Sequence, residues 1–144
     1  PVAEFLTRAG VGTIGIVDYD YVELSNIHRQ SLYDDDDLKK PKVKAALKKL
    51  NKINKKTKID CYKIKINKKN FEKIVKNYDY IVDGSDNFET RYLINDAAYF
   101  LKKPLVSAAI FRFQGQITIF SPETGGPCYR CLYSEPPPVA LVPN

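Results

Sequence analysis

Apolar residues along this chain recur with two different periods, and the switches between them mark the elements. Val2, Phe5, Leu6 and Ala9 fall at helical spacing and Gly10 follows, so residues 1–10 are expected to be helical with those four on the buried face. VGTIGIVD (11–18) is nearly all apolar, as a strand buried on both faces should be. Pro41 opens a helix through about Asn54, with Val43, Ala46, Leu47, Leu50 and Ile53 on one side and lysines on the other. KIDCYKIKI (58–66) alternates imperfectly and is expected to be a strand, FEKIVKN (71–77) a short helix and YDYIVDG (78–84) a strand. Asn87 to Lys102 is expected to be helical, burying Tyr92, Ile94, Ala97, Ala98, Tyr99 and Leu101. PLVSAAIF and GQITIFS are two further strands, and the Pro-rich tail EPPPVALVPN is extended.

Helices and strands alternate in this order until the final strand pair. The fold class is therefore α/β: a Rossmann-like, doubly wound, mostly parallel sheet with helices on both faces, in one nucleotide-binding domain over 1–144. Ligands of such sheets bind at the carboxyl ends of the strands. Those ends are VDYD, VDGSDN and VSAAIFR, two of them acidic, so an anionic ligand there needs a metal ion or basic partners.

Composition narrows the class. Apolar residues make up 44% and charged residues 28% of the 144 residues, as in ordinary globular proteins. No apolar run approaches the roughly 18–20 residues that span a bilayer, and no signal segment is recognisable, so a cytoplasmic protein is expected. The net charge of +6 comes largely from lysines between Lys39 and Lys76. That stretch could attract nucleic acid, but its aromatics are not interleaved as a base-stacking platform needs, and a solvated face is the simpler reading. The three cysteines make no disulfide framework. The absence of methionine suggests a piece of a longer chain.

Five constellations carry candidate chemistry. Asp18, with Asp20 close behind, stands where an acid can accept ribose hydroxyls or cap the following turn. Asn26, Arg29 and Gln30 follow; the guanidinium fork suits phosphate oxygens, and a surface turn is the plain alternative. Lys42 begins a helix, where anions are already favoured, or is one more solvated lysine. In DGSDN, Asp86 can bind Mg²⁺ through one carboxylate, while Asp86 or Ser85 can equally cap the helix that Asn87 opens. Cys128 and Cys131, in PCYRC, form half of a tetrahedral zinc site or a redox dithiol. Only Cys61 and His28 remain as completions, and both are expected to lie elsewhere.

Taken in order, VDYDxVExSNxxRQ, PK, VDGSDNxxxR, PLVSA, GQITxF and GPCYRCL resemble the adenylyltransferases that activate ubiquitin-like sulfur-carrier proteins. These are the molybdopterin-synthase and thiamine-biosynthesis enzymes related to ubiquitin-activating enzymes, and the resemblance covers nearly the whole chain. It implies that Asp18 holds the ATP ribose, that Arg29 and Lys42 bind phosphates with Asn26 beside them, and that Asp86 holds Mg²⁺. Asp20, Gln30, Ser85 and Asn87 complete the expected nucleotide-binding set. Cys128 and Cys131 resemble the first half of the family's Cys₄ zinc site, with 127–144 opening the zinc segment and crossover loop. The implied reaction adenylates the carrier's C-terminal Gly-Gly carboxylate with release of pyrophosphate, in a homodimer.

The resemblance also places the glycine-rich loop, the second cysteine pair and the carrier groove outside these residues, so this segment alone is expected to be inactive. Three other readings compete. A non-catalytic partner subunit is expected to lack Arg29, Lys42 or Asp86. A nicotinamide-dependent dehydrogenase leaves Arg29, Asp86 and the cysteine pair unexplained. A tRNA-modifying adenylyltransferase of the same superfamily would suit the lysine-rich surface.

Overall fold

The computed structural model describes residues 1–111 and 113–135. The expectation of an extended tail falls almost wholly on residues outside these, as does most of the proposed crossover loop. The chain divides into two compact units, Pro1–Lys65 and a second that begins at Ile66.

In the first unit, α1 (Val2–Arg8) packs on α3 (Lys42–Ile53), and β1 (Thr13–Val17) pairs in parallel with β2 (Lys58–Tyr62), Thr13 opposite Lys58. A short α2 (Leu24–Ile27) and a 3₁₀ turn (Asp35–Asp37) lie in the connection, where no regular element was predicted. Helix α3 follows its pattern: Val43, Ala46 and Leu50 are buried, Leu47 and Ile53 half-buried. Helix α1 does not. Val2 and Phe5 are exposed, and the buried residue is Thr7, whose hydroxyl donates to Ala3 O at 2.7 Å. With its hydroxyl satisfied inside its own helix, threonine presents a small methyl surface at that contact. Strand β1 also differs from a strand covered on both faces, since only Ile14 in it is buried and β2 is its one strand partner among the described residues.

In the second unit, α4 (Lys68–Val75) starts three residues before its predicted position. Asn67 caps it, accepting from Asn70 N at 3.0 Å, while the Asn70 side chain accepts from Asn67 N at 2.8 Å, a reciprocal cap. Strand β3 (Ile81–Asp83) runs parallel to β4 (Leu105–Phe111), and β4 antiparallel to β5 (Gln114–Phe120). Helix α5 (Phe88–Phe100) and the short α6 (Tyr129–Leu132) complete the unit. One face of the sheet joins the core of Phe71, Val75, Ile81, Tyr92, Ala98, Leu105 and Phe120. Strand alternation puts Val82, Ile110, Ile117 and Ile119 on the other face, all exposed. Within α5, Tyr92, Ile94, Ala97 and Ala98 are buried as expected, but Tyr99 is half-exposed and stacks edge-on against exposed Phe100 at 5.9 Å. Among the described residues, no helix is long and apolar enough to cross a membrane.

Candidate functional site

Three of the predicted residues of the first unit, Asp18, Asp20 and Lys42, meet at the start of α3. The backbone of residues 20–22 is pinned to residues 39–42: Val22 N donates to Lys40 O at 2.9 Å, Lys39 N to Val22 O at 2.9 Å and Lys42 N to Asp20 O at 3.0 Å. Val22, almost fully buried, anchors this pairing, and Lys39 takes a left-handed conformation (φ 62°) to turn the chain back. The result brings Lys42 to the two acids that follow β1. Its ammonium lies 3.3 Å from Asp20 Oδ2 and 4.0 Å from Asp18 Oδ2, with the side chain only 9% exposed. Lys42 is therefore not one more solvated lysine. Asp18 closes the following turn, its Oδ1 accepting from Asp20 N at 2.8 Å, while its Oδ2 faces the cation.

Asn26 of α2 is buried, and its carbonyl accepts from Arg29 N (3.1 Å) and Gln30 N (3.0 Å), ending α2. Arg29 is exposed and donates from Nη1 to Ser25 O at 2.6 Å. The neighbourhood has a member absent from the predicted set, Tyr33, whose hydroxyl donates to Lys42 O at 3.3 Å. Burial pushes the Tyr33 phenol up from 10.0 to about 12, and the carboxylates of Asp18 and Asp37 push the same way. A folded-state value above the unfolded one means that stability is intact below about pH 10 and drains away as pH rises towards 12. In an alkaline titration followed by circular dichroism and tyrosinate absorbance, Tyr33→Phe should unfold at higher pH than the parent chain; an unchanged midpoint would refute this.

In the second unit, Asp83 is buried at the end of β3, and its Oδ1 accepts from Ser85 N at 2.8 Å. Arg91 on α5 secures the same loop, donating from Nε (3.2 Å) and Nη2 (2.7 Å) to Ser85 O. The cap of α5 is neither Ser85 nor Asp86 but Asn87, whose Oδ1 accepts from Thr90 N at 2.9 Å. Asp86 is left exposed, touched by Asn87 Nδ2 at 3.3 Å. Among the described residues, the buried side-chain polar atoms without a hydrogen-bond partner are Gln30 Oε1, Thr57 Oγ1 and Ser85 Oγ. Two of these belong to the predicted nucleotide-binding set. A buried oxygen without a partner is costly unless a ligand or solvent supplies one; the Ser85 hydroxyl and the adjacent Asp86 carboxylate are oxygen donors of the type a hard cation takes.

Cys128 is the N-cap residue of α6 and Cys131 lies within its single turn, their sulfurs 3.7 Å apart and both free thiols. Four sulfurs at about 2.3 Å from zinc in a tetrahedron stand about 3.8 Å from one another, so the pair already has the spacing of one tetrahedral edge. Burial alone would raise the Cys128 thiol, but hydrogen bonds from Cys131, from Arg130 N and from Asn95 outweigh it and hold the thiol below its ordinary value. Among the described residues no cluster of three metal-ligating side chains exists. Cys61 sits on β2 in the first unit, where its thiol donates to Val43 O at 3.1 Å and burial pushes it up. A cleft of about 200 Å³ near Glu4, Tyr33, Asp34 and Lys49 holds none of the predicted residues.

The chain is similar along its whole length to adenylating enzymes. It is 47% identical over 148 residues to the sulfur carrier protein adenylyltransferase of Thermus thermophilus, covering all of this chain and 55% of that protein. It is 42% identical over 144 residues to the adenylyltransferase and sulfurtransferase MOCS3 of Danio rerio, covering 31% of it. This chain thus spans about half, or less, of the length of these relatives. In structure it matches MccB of E. coli, solved with ATP, with a TM-score of 0.84 at 24% identity, over 92% of this chain and 40% of that one. That likeness establishes the Rossmann-like fold. The ThiF family model matches residues 1–144, and the chain belongs to the ThiF family.

Proposed function

We propose that the full-length protein uses ATP to adenylate the C-terminal Gly-Gly carboxylate of a small ubiquitin-like sulfur-carrier protein, in molybdopterin or thiamine cofactor biosynthesis. The observation that carries this reading is the Lys42 ammonium held beside Asp18 and Asp20 in a chain of this family. The carrier carboxylate attacks the α-phosphorus of ATP; the bond to the bridging oxygen breaks and pyrophosphate leaves with its electron pair. No general base is needed, because the attacking carboxylate is ionised at neutral pH. Two anions must meet, so the protein's work is to neutralise charge and to hold the reactants in line.

Asp18 accepts from ribose hydroxyls through the oxygen that faces Lys42. Lys42 exchanges its carboxylate partners for phosphate oxygens, and Arg29 adds its fork, with Asn26, Gln30 and Asp20 lining the approach. Asp86, with Ser85 and Asn87 next to it, holds Mg²⁺, which when bound offsets charge on the phosphates. Cys128 and Cys131 give two of four ligands to a structural zinc. The protein works as a cytoplasmic homodimer.

ATP–pyrophosphate exchange by the full-length protein tests this. Exchange that depends on a Gly-Gly-ended carrier and falls about 10²–10³-fold in Asp86→Ala is the expected outcome. No exchange with any carrier would overturn it in favour of an RNA substrate or a non-catalytic subunit.

A further inference from the structure

Helix α5 makes a set of side-chain contacts to the turn that presents Cys128 and Cys131. Asn95 of α5 is 2% exposed, and its two side-chain ends do different jobs. Its Oδ1 accepts from Tyr129 N at 2.8 Å, a buried bond that fixes the backbone between the two cysteines. Its Nδ2 points to Cys128 Sγ at 3.9 Å and to Asp96 Oδ1 at 3.3 Å. Asp96, the next residue, takes a two-pronged hydrogen bond from Arg130, Nε to Oδ1 at 2.7 Å and Nη2 to Oδ2 at 2.8 Å. The Arg130 guanidinium in turn lies 4.6 Å above the Tyr92 ring, and Tyr92 meets Tyr129 edge-on at 5.4 Å. Both residues between the cysteines are thus gripped by α5, Tyr129 by its backbone and ring and Arg130 by its fork.

We propose that Asn95 and Asp96 are positioning residues for the metal: through Tyr129 N, Cys128 Sγ and Arg130 they hold the two thiols at tetrahedral spacing before zinc arrives. The inference rests on the zinc reading of the cysteine pair given above and deepens it. A side-chain amide beside a ligating sulfur is the kind of outer contact that tunes metal affinity, with losses of about 10–100-fold when such partners are removed. A pair already set at 3.7 Å also leaves less ordering to be done on binding. The need is chemical as well as geometric. Thiolates gathered around one ion repel each other, and an amide N–H and a nearby guanidinium lower that repulsion.

The test uses the full-length protein, with zinc content measured first and zinc release to a competing chelator second. Asn95→Asp keeps the acceptor for Tyr129 N and removes the donor to Cys128. Asp96→Asn breaks the fork at a partly exposed site, where folding is least at risk. Both variants should lose zinc at least tenfold more readily at unchanged circular dichroism. In the cobalt-substituted protein, Asn95→Asp should shift the sulfur-to-metal charge-transfer band, which a merely structural role would leave in place. Tight zinc in the parent with both variants inside a factor of two overturns the positioning role and leaves the zinc reading standing. A parent that holds no zinc overturns both. Should Asn95→Asp fail to fold, Asp96→Asn alone decides.

Discussion

Lys42→Ala is expected to lower carrier-dependent ATP–pyrophosphate exchange by about 10²–10³-fold, the loss that follows when one fixed charge facing a developing anion is removed. The magnitude rests on where the ammonium sits. It is nearly buried, so solvent screens it weakly, and no flexible surface lysine would substitute for it. Removing it also leaves Asp18 and Asp20 without their cation, so the variant repels phosphate as well as failing to attract it. Asp20 is half-exposed, which keeps the cost to stability small. Lys42→Arg should recover only part of the activity, because a planar fork does not replace a compact point charge in that space. Wild-type exchange rates in Lys42→Ala would remove Lys42 from the site.

The largest expected effect on stability is Leu105→Ala. Leu105 is 1% exposed in β4, in the middle of the second unit's sheet, and belongs to the cluster with Ile81, Tyr92 and Phe120. Truncation there removes the side chain's burial and leaves a hole that a strand bonded on both sides cannot close, at a cost of about 2–5 kcal/mol. Against a typical net stability of about 5–15 kcal/mol, that is enough to move a urea midpoint far to the left. A midpoint within error of the parent's would show that Leu105 is not in the core.

Much of this was legible in the sequence, for reasons that differ from element to element. Helix α3 could be read because its period is strong and its exposed face is rich in lysine. Strands β1 and β5 could be read because β-branched residues run close together in them between clear breaks. The face of α1 could not, since hydropathy ranks Phe5 above Thr7 and cannot see that the threonine hydroxyl is satisfied at Ala3. The predicted residues Asp18, Asp20 and Lys42 do converge, but the cause, a backbone pairing of residues 20–22 with 39–42, leaves no periodic trace. Asn95 was hidden for a similar reason. It occupies a core position on an apolar helix face, where a polar residue is itself the signal that a buried partner awaits it.

The cap of α5 at Asn87 has a consequence for how such a site can change over time. Holding the helix start is one duty and exposing a carboxylate at the surface is another, and here adjacent residues carry them separately. Position 86 can therefore be altered with little risk to the helix, and position 87 can vary among uncharged capping residues without moving a charge. A loop built this way is evolvable: the charge it exposes can change while the scaffold beneath it stays folded.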